Sequence, residues 1–296
     1  MRVGLHALGI GPGARPEVMR AVAAAAETAG FATLWSGEHV VMVDRPESRY
    51  PYAADGRIAV PAAADWLDPL LGLGYLAAVT TRIGLATGVL LLPEHNPVIV
   101  AKQAATLDVL SGGRLTLGVG IGWAAEEFAA LGVPFGRRGR RTEEYLAAMR
   151  TLWAEDVASF HGEFTSFEGV RVNPRPVRGR RLPVVIGGNG DRALERVAAC
   201  GDGWYGFNVP AAAVPERVAA LAARCQRHGR ELRELIVAVA VADGSPGLLP
   251  ELARLGVTEY VVVATPPDEP SAATAWVAGL AAEWGVTPGG PLATAR

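Results

Sequence analysis

Residues 82–123 read RIGLATGVLLLPEHNPVIVAKQAATLDVLSGGRLTLGVGIGW. Residues 83–87 form a short apolar run that stops at Gly88. Asn96-Pro97 then opens a helical pattern that lasts to Leu110, and Ser111-Gly112-Gly113 ends it. Residues 115–119 are a second apolar strand, followed by Gly120 and Gly122. Two buried strands joined by a helical crossover make a parallel βαβ unit, so both strands end in glycine on the same sheet edge. Ligands bind at that edge in parallel α/β folds.

The same alternation extends outward. Strands are predicted at 3–8, 33–36, 183–186, 203–207, 236–241 and 259–263, with helices at 16–29, 142–153, 191–200, 215–228, 246–255 and 269–283. A further helix begins at Asp68-Pro69, and a short one follows Trp123 at Glu126-Glu127-Phe128. Eight strands alternating with helices predict a closed (β/α)8 TIM barrel, one domain over 1–296 with loop insertions. Two insertions stand out. Residues 40–66 lack periodicity and hold Arg49, Tyr50 and Tyr52, the composition of a lid or binding loop. Residues 160–172 alternate around glycines like a small hairpin. Gly9, Gly11 and Gly13 are spaced GxGxG with Pro12 between them, a poor dinucleotide fingerprint that reads as a plain turn.

Composition removes whole classes. A formal net charge of -2 gives no electrostatic reason to bind nucleic acid or an anionic membrane. The basic run Arg137, Arg138, Arg140, Arg141 reads as a solvated helix entrance. Two cysteines, Cys200 and Cys225, without CxxC spacing indicate neither a disulfide framework nor a zinc site, and no metal-ligand cluster is visible. No apolar run approaches the ~20 residues that span a bilayer, so a soluble protein of the reducing cytoplasm is expected. The single lysine, Lys102, falls mid-helix and not at a strand's ligand end, which sets aside Schiff-base aldolase chemistry.

Three constellations carry chemistry. Gly187-Gly188-Asn189-Gly190 lies between a buried strand and a helix, where free backbone N–H groups and the helix N-terminus can hold a phosphate; the alternative is a glycine turn capped by Asn189 or Asp191. Glu38-His39 puts a carboxylate beside an imidazole at a strand's C-terminal end, suited to acid–base work or to fixing the adjacent loop. In residues 118–123, Gly120 and Gly122 can make room for a cofactor, and Trp123 can stack on a ring or simply pack. His6, His95, His161 and His228 read as structural or exposed.

Gly88-Val89, the Asn96-Pro97 opening, AKQAATLDVLSGGR and GVGIGW together resemble the luciferase-like monooxygenase superfamily, especially its oxidoreductases that use the deazaflavin coenzyme F420. Similar signatures recur at Gly30-Phe31, Ser36-Gly37-Glu38-His39, Arg49-Tyr50-Pro51-Tyr52, Ile186-Gly187-Gly188 and Gly201-Asp202-Gly203-Trp204, so the likeness runs to about residue 207. The resemblance implies a deazaflavin across the barrel mouth, its phosphate on Gly187, Gly188, Asn189 and Gly190. It places the ring against a non-proline cis peptide or bulge at Gly88-Val89, near Glu38 and His39. Two departures matter: Glu38 stands where related deazaflavin enzymes often carry Asp, and Trp123 where some dehydrogenases place a glutamate acid. The implied reaction is hydride transfer to or from a small organic substrate under the 40–66 lid. The superfamily also contains FMN-dependent monooxygenases supplied by a separate reductase, and a non-catalytic flavin-binding barrel is a third reading. Family members often dimerise, which makes the second and third helices the expected faces of a homodimer.

Overall fold

Aliphatic runs too short for helices and bounded by glycine or proline become barrel staves in the computed structural model, which describes residues 1–179 and 181–289. The end of the single domain expected over 1–296 lies outside the described residues. In chain order the parallel strands are β1 (Arg2–His6), β2 (Thr33–Ser36), β3 (Gly84–Thr87), β4 (Leu90–Leu91) and β5 (Leu115–Gly120). An antiparallel hairpin follows, β6 (Ala158–His161) with β7 (Ser166–Val170). Then come β8 (Val184–Gly187), β9 (Gly203–Val209), β10 (Ile236–Val241) and β11 (Glu259–Val263). β1 pairs with β2, β2 with β3, β3 with β5, and β5 with β8; β8, β9, β10 and β11 follow in turn, and β11 returns to β1. The sheet is a closed eight-stave barrel, with β4 continuing the third stave beyond the Gly88–Val89 break.

Around it run α1 (Pro16–Ala29), α2 (Pro69–Val79), α3 (Pro97–Leu110), α4 (Ala125–Ala130), α5 (Arg138–Ala154), α6 (Asp191–Cys200), α7 (Val214–Arg227), α8 (Leu249–Arg254) and α9 (Pro270–Glu283). Their starts follow the capping signals. Asp68 accepts the N–H of Leu71 at α2, and Asn96 accepts those of Val98 and Ile99 at α3. Gly30 closes α1 at φ 99°, a left-handed conformation that costs an L side chain energy.

The expected elements are present, with shifted edges. The first strand covers Arg2–His6 and not 3–8, because Gly9 N–H turns back to the Gly13 carbonyl and Gly11–Ala14 form a 3-10 turn in place of a plain one. The helix expected at 142–153 begins at Arg138, so the arginine run belongs to its first turn. That run is only half solvated. Arg137 and Arg140 pair with Glu163 on the surface. Arg141 is buried with its Nη1 on the Pro134 carbonyl, and Arg138 lies over the Phe135 ring with its Nε donating to the Gly122 carbonyl.

Two apolar layers result. Strand residues facing outward pack with the helices, whereas Trp35, Ala86, Val185, Tyr205, Ala238, Ala240 and Val261 form a separate cluster of buried side chains. Within it Trp35 stacks on Tyr205 at 4.6 Å between ring centroids. At the N-terminal end of this filling, the buried Glu259 accepts from Trp35 Nε1 (2.8 Å) and Thr33 Oγ1 (3.2 Å) and pairs with Arg2. The staves are therefore packed shut at one end, and chemistry belongs at the other.

Candidate active site

The C-terminal strand ends bring His6, Glu38, His39, Gly88, Val89, Gly120, Gly122, Trp123 and Gly187 to Gly190 to one mouth. Parallel register makes this unavoidable: His6 is level with Trp35 and Val263, and Ser36 with Thr87. The Gly88–Val89 peptide is cis. Gly88 donates its N–H to the Ser36 carbonyl, and its α-carbon faces the His6 ring and Trp35, where an added Cβ would lie 3.2 to 3.4 Å from both.

The mouth glycines serve Val89 first. A Cβ on Gly120 would meet Val89 Cγ2 at 2.6 Å, and one on Gly187 would meet Val89 Cγ1 at 3.0 Å. Gly120, expected to make room for a cofactor, and Gly187, expected at its phosphate, both lie against the Val89 side chain. Gly122, at φ 72°, makes room for Glu94 and Phe128.

Glu38 and His39, adjacent in sequence, do not pair with each other. Neighbours on an extended chain point to opposite sides. Glu38 accepts the Leu91 N–H at 2.5 Å and bonds His95 Nε2 at 3.0 Å, which pins the segment after the cis bond. His39 Nδ1 instead bonds Glu127 Oε2 at 2.7 Å, with both side chains buried. Glu127 Oε1 accepts the N–H groups of Val40 and Val41. On the far side of the ring, Trp123 Nε1 approaches His39 Nε2 at 3.4 Å. A donor at Nε2 and a carboxylate at Nδ1 fit the tautomer in which Nδ1 carries the proton and Nε2 is the acceptor. His95, read as structural or exposed, is part of the mouth. Burial opposes its charged form, but the Glu38 bond and the charges of Glu38, Asp68 and Glu127 outweigh it and raise its pKa.

His6 also sits at the mouth, with Nδ1 2.9 Å from the Tyr205 hydroxyl, and burial lowers its pKa to about 4, so it is a neutral imidazole. Glu94, His95, Glu127, His6 and Tyr205 were absent from the expected site. Adjacency singled out Glu38-His39, while Glu127 lies far along the chain and its partner choice has no local signal.

The 40–66 segment crosses the mouth without regular structure. Glu126 accepts the N–H groups of Glu47 and Ser48, Trp66 Nε1 donates to the Gly37 carbonyl, and Asn208 Nδ2 to the Tyr52 carbonyl. Consecutive glutamates of α4 thus clamp the lid at two points. Its aromatic rings continue those of the barrel: Tyr50 meets Tyr52 and Trp123, Tyr52 meets Phe207, and Trp66 meets His39 edge-on. A cavity of about 280 Å³ opens beside Phe207 at the ends of β9, β10 and β11. A larger one of about 510 Å³ lies between α5 and α6, lined by Arg150, Trp153 and Cys200, away from these groups.

At the β8–α6 turn, Gly190 is the N-cap and offers no side-chain cap, so the helix presents bare N–H groups. Asn189 Nδ2 donates to the Phe207 carbonyl, while its Oδ1 is buried without a partner. Asp191 turns to Arg217 and Arg224 and leaves the cap vacant. Among the described residues no group of three His, Cys, Asp or Glu is placed to hold a metal ion, and no helix is long and apolar enough to cross a membrane.

The buried His39–Glu127 pair and the uncapped start of α6 share one mouth of a closed (β/α)8 barrel, the C-terminal face at which barrels of this kind carry their sites. The chain belongs to the luciferase-like monooxygenase family, which it matches over residues 3–243. That family comprises oxidoreductases and monooxygenases. An uncharacterized protein of Mycobacterium tuberculosis is 38% identical over 265 residues, covering 89% of this chain and 92% of its own length. The FMNH(2)-dependent dimethylsulfone monooxygenase of Pseudomonas putida is 35% identical over 136 residues, 45% of this chain and 37% of that protein. Among solved structures, the coenzyme F420 dependent tetrahydromethanopterin reductase from Methanopyrus kandleri superimposes with a TM-score of 0.72 at 18% identity, over 95% of this chain and 97% of that one. An F420-dependent secondary alcohol dehydrogenase, in complex with an F420-acetone adduct, gives 0.66 at 20% identity, over 81% and 69%. At such identities the structures speak for the fold.

Proposed function

We propose that this chain is an oxidoreductase that transfers a hydride between coenzyme F420 and a small organic substrate. The observation that supports it best is the shared mouth: the His39–Glu127 pair, the cis Gly88–Val89 backbone and the uncapped start of α6 all open onto it. The residues present fit such a cofactor. The uncapped start of α6, entered through Gly188, Asn189 and Gly190, suits a phosphate. The orphaned Asn189 Oδ1 is an acceptor that a sugar-like hydroxyl would satisfy. Gly88, Val89 and Trp123 would flank the flat ring. When bound, the deazaflavin supplies the hydride chemistry.

The chain's own residues manage the proton. His39 Nε2, which accepts only the long 3.4 Å bond from Trp123 Nε1, is the base that takes the substrate's proton in place of that bond as hydride departs, and it returns one in the reverse direction. Glu127 holds the ring in that tautomer and stabilises the imidazolium, as the buried carboxylate of a catalytic His–Asp pair does. Glu38, occupied by Leu91 and His95, acts on the bulge and not on the substrate. The clamped 40–66 segment shuts water out and offers aromatic walls to an organic substrate.

The sequence likeness to the dimethylsulfone monooxygenase favours a second reading, FMN-dependent oxygenation with reduced flavin from a separate reductase. Equilibrium binding of oxidised and reduced F420 and of FMN, with turnover followed alongside oxygen uptake, separates the two. Tighter F420 binding with oxygen-independent turnover is expected. Tighter FMN binding with oxygen uptake in the presence of a reductase would replace the first reading by the second, and tight binding with no turnover of either kind would leave a flavin-binding barrel. We assign the chain to a reducing cytoplasm, consistent with its two free thiols, and to a homodimer through α2 and α3.

A further inference from the structure

The cavity of about 510 Å³ lies at the end of the barrel opposite the mouth. Its walls are the last turns of α5 and α6, the segments that enter β8 and β9, and Arg230 just after α7. Charge is out of balance there. Arg150, Arg181 and Arg230 line the cavity against one carboxylate, Asp202. Asp202 is already shared: Oδ2 takes Arg150 Nη2 at 3.1 Å and the Val184 N–H at 3.0 Å, and Oδ1 takes Arg181 Nη2 at 2.6 Å. Arg230 gives Nη1 to the Ala198 and Gly201 carbonyls at the end of α6, and not to a carboxylate.

Neighbouring groups do not restore the balance. Glu143 is taken by Arg196, and the carbonyl of Trp153 at the end of α5 is met by Arg175. A helix C-terminus carries about half a negative charge, so the end of α6 offsets only part of Arg230. The surplus of positive charge stands in a concavity with low-dielectric walls, where like charges repel more strongly than on an open surface and an anion relieves them. Each guanidinium on Asp202 gives it only Nη2, which leaves donors of both forks for a second oxyanion. Beside these forks the wall is apolar. Trp153 and Leu182 are each 2% exposed, and the indole N–H is already held by the Ala101 carbonyl at 3.0 Å. The volume is that of a small-ligand site, about 300 to 1,000 Å³.

We propose that this cavity binds a small organic oxyanion, a carboxylate or phosphate ester with a compact apolar body, at a site separate from the mouth. Its anionic group lies on the donors of Arg150 and Arg181 that Asp202 leaves open, and its body lies along Trp153 and Leu182. Asp202 competes with the ligand for the same two guanidiniums. The site does not depend on which cofactor the mouth takes.

The test titrates phenyl phosphate, benzoate and inorganic phosphate into ligand-free protein by calorimetry at low salt. One of the two aromatic anions should bind about tenfold or more tightly than inorganic phosphate, because a phenyl ring leaves water, and added salt should weaken it. Phenyl phosphate ahead of benzoate identifies a phosphate ester, and the reverse order a carboxylate. Arg181→Gln, at a side chain 77% exposed, should weaken binding about threefold or more. Asp202→Asn keeps an acceptor for the Val184 N–H but withdraws the competing charge, and should tighten binding by about as much. That gain is the outcome a purely structural ion pair does not give. Absence of binding at millimolar concentration, equal binding of all three anions, or unchanged affinity in both variants would overturn the proposal; if Asp202→Asn does not fold, Arg181→Gln decides. A signal abolished by Gly190→Asp and kept in Arg181→Gln belongs to the start of α6 at the mouth, and would overturn it as well.

Discussion

His39 is the side chain on which turnover should depend most. Its Nδ1 is held by Glu127 at 2.7 Å, and Nε2 is left as the working nitrogen beside Trp123. General acid–base groups are worth about 10²- to 10⁴-fold in rate, so His39→Asn should lower kcat by ~100-fold or more. Cofactor affinity should stay within a few-fold, because the β8–α6 turn is separate; loss of affinity with intact single-turnover chemistry would move His39 to the binding site. Glu94 makes the opposite kind of prediction, on stability. Its carboxyl titrates near 4.5 when free and near 9 in the folded chain. The folded state therefore binds an extra proton between those values, and stability falls as pH rises from 4.5 through 9. At pH 7 that ionisation favours the unfolded chain by about 3 kcal/mol. Glu94→Gln should consequently be more stable at pH 7 by up to that amount, with a flatter slope between pH 5 and 9, read from thermal melts of the ligand-free protein. Neither partner choice was legible in sequence. Adjacent residues look paired on paper, but an extended backbone sends Glu38 and His39 apart, and each finds its partner through the fold.

The β8–α6 turn is where an element, and not one side chain, does the binding. Gly190 sits at φ -83° with open space around its α-carbon, so Gly190→Asp fits the backbone and acts by placing an anion at the helix start. Phosphate-bearing cofactor should bind at least about tenfold more weakly by titration calorimetry, while thermal melts of the free protein show no loss of stability, since Asp is a favoured N-cap. Gly188 is a poorer place for that test: φ is 114° and an added Cβ lies 2.9 Å from Ala193, so substitution there strains the turn itself. The lid is held by α4, and Glu126→Ala should release its grip on Glu47 and Ser48, raising amide exchange across 40–66 while the barrel strands stay protected. An unaltered exchange pattern would show that the remaining bonds, among them those of Glu127, Asn208, Trp66 and the Ala125 N–H to Ser48 Oγ, hold the segment without Glu126. Strand-and-glycine alternation made the barrel readable, because each stave is a short aliphatic run whose end must turn. The lid was readable only as an absence of period. The arginine run misled for a physical reason: Arg141 and Arg138 bury long side chains whose nitrogens cap carbonyls and stack on Phe135, while only Arg137 and Arg140 remain at the surface.

At the scale of the whole molecule, α2 and α3 are the helices whose apolar character is not confined to the buried side. α2 buries Leu70, Leu73 and Leu76 yet leaves Leu71 74% exposed, and α3 buries Val100, Ala104 and Leu107 yet leaves Ile99 58% and Leu110 69% exposed. A helix packed on one side only has a polar outer face. In the homodimer proposed above, these apolar positions on adjoining outer faces are what a second copy of the chain would cover, symmetrically if each α2 and α3 meet their counterparts. The mouth lies at the strand ends and these exposed side chains lie on the barrel's flank, so pairing leaves each mouth free. Sedimentation equilibrium should therefore report twice the chain mass, and Leu71→Glu combined with Ile99→Glu should return the single-chain mass with the circular dichroism of a folded barrel. A wild-type protein that sediments as one chain at micromolar concentration would leave these residues as surface without a partner. If the double variant is monomeric and still binds cofactor as tightly as the wild type, the two mouths work independently, as expected for a site built wholly within one barrel.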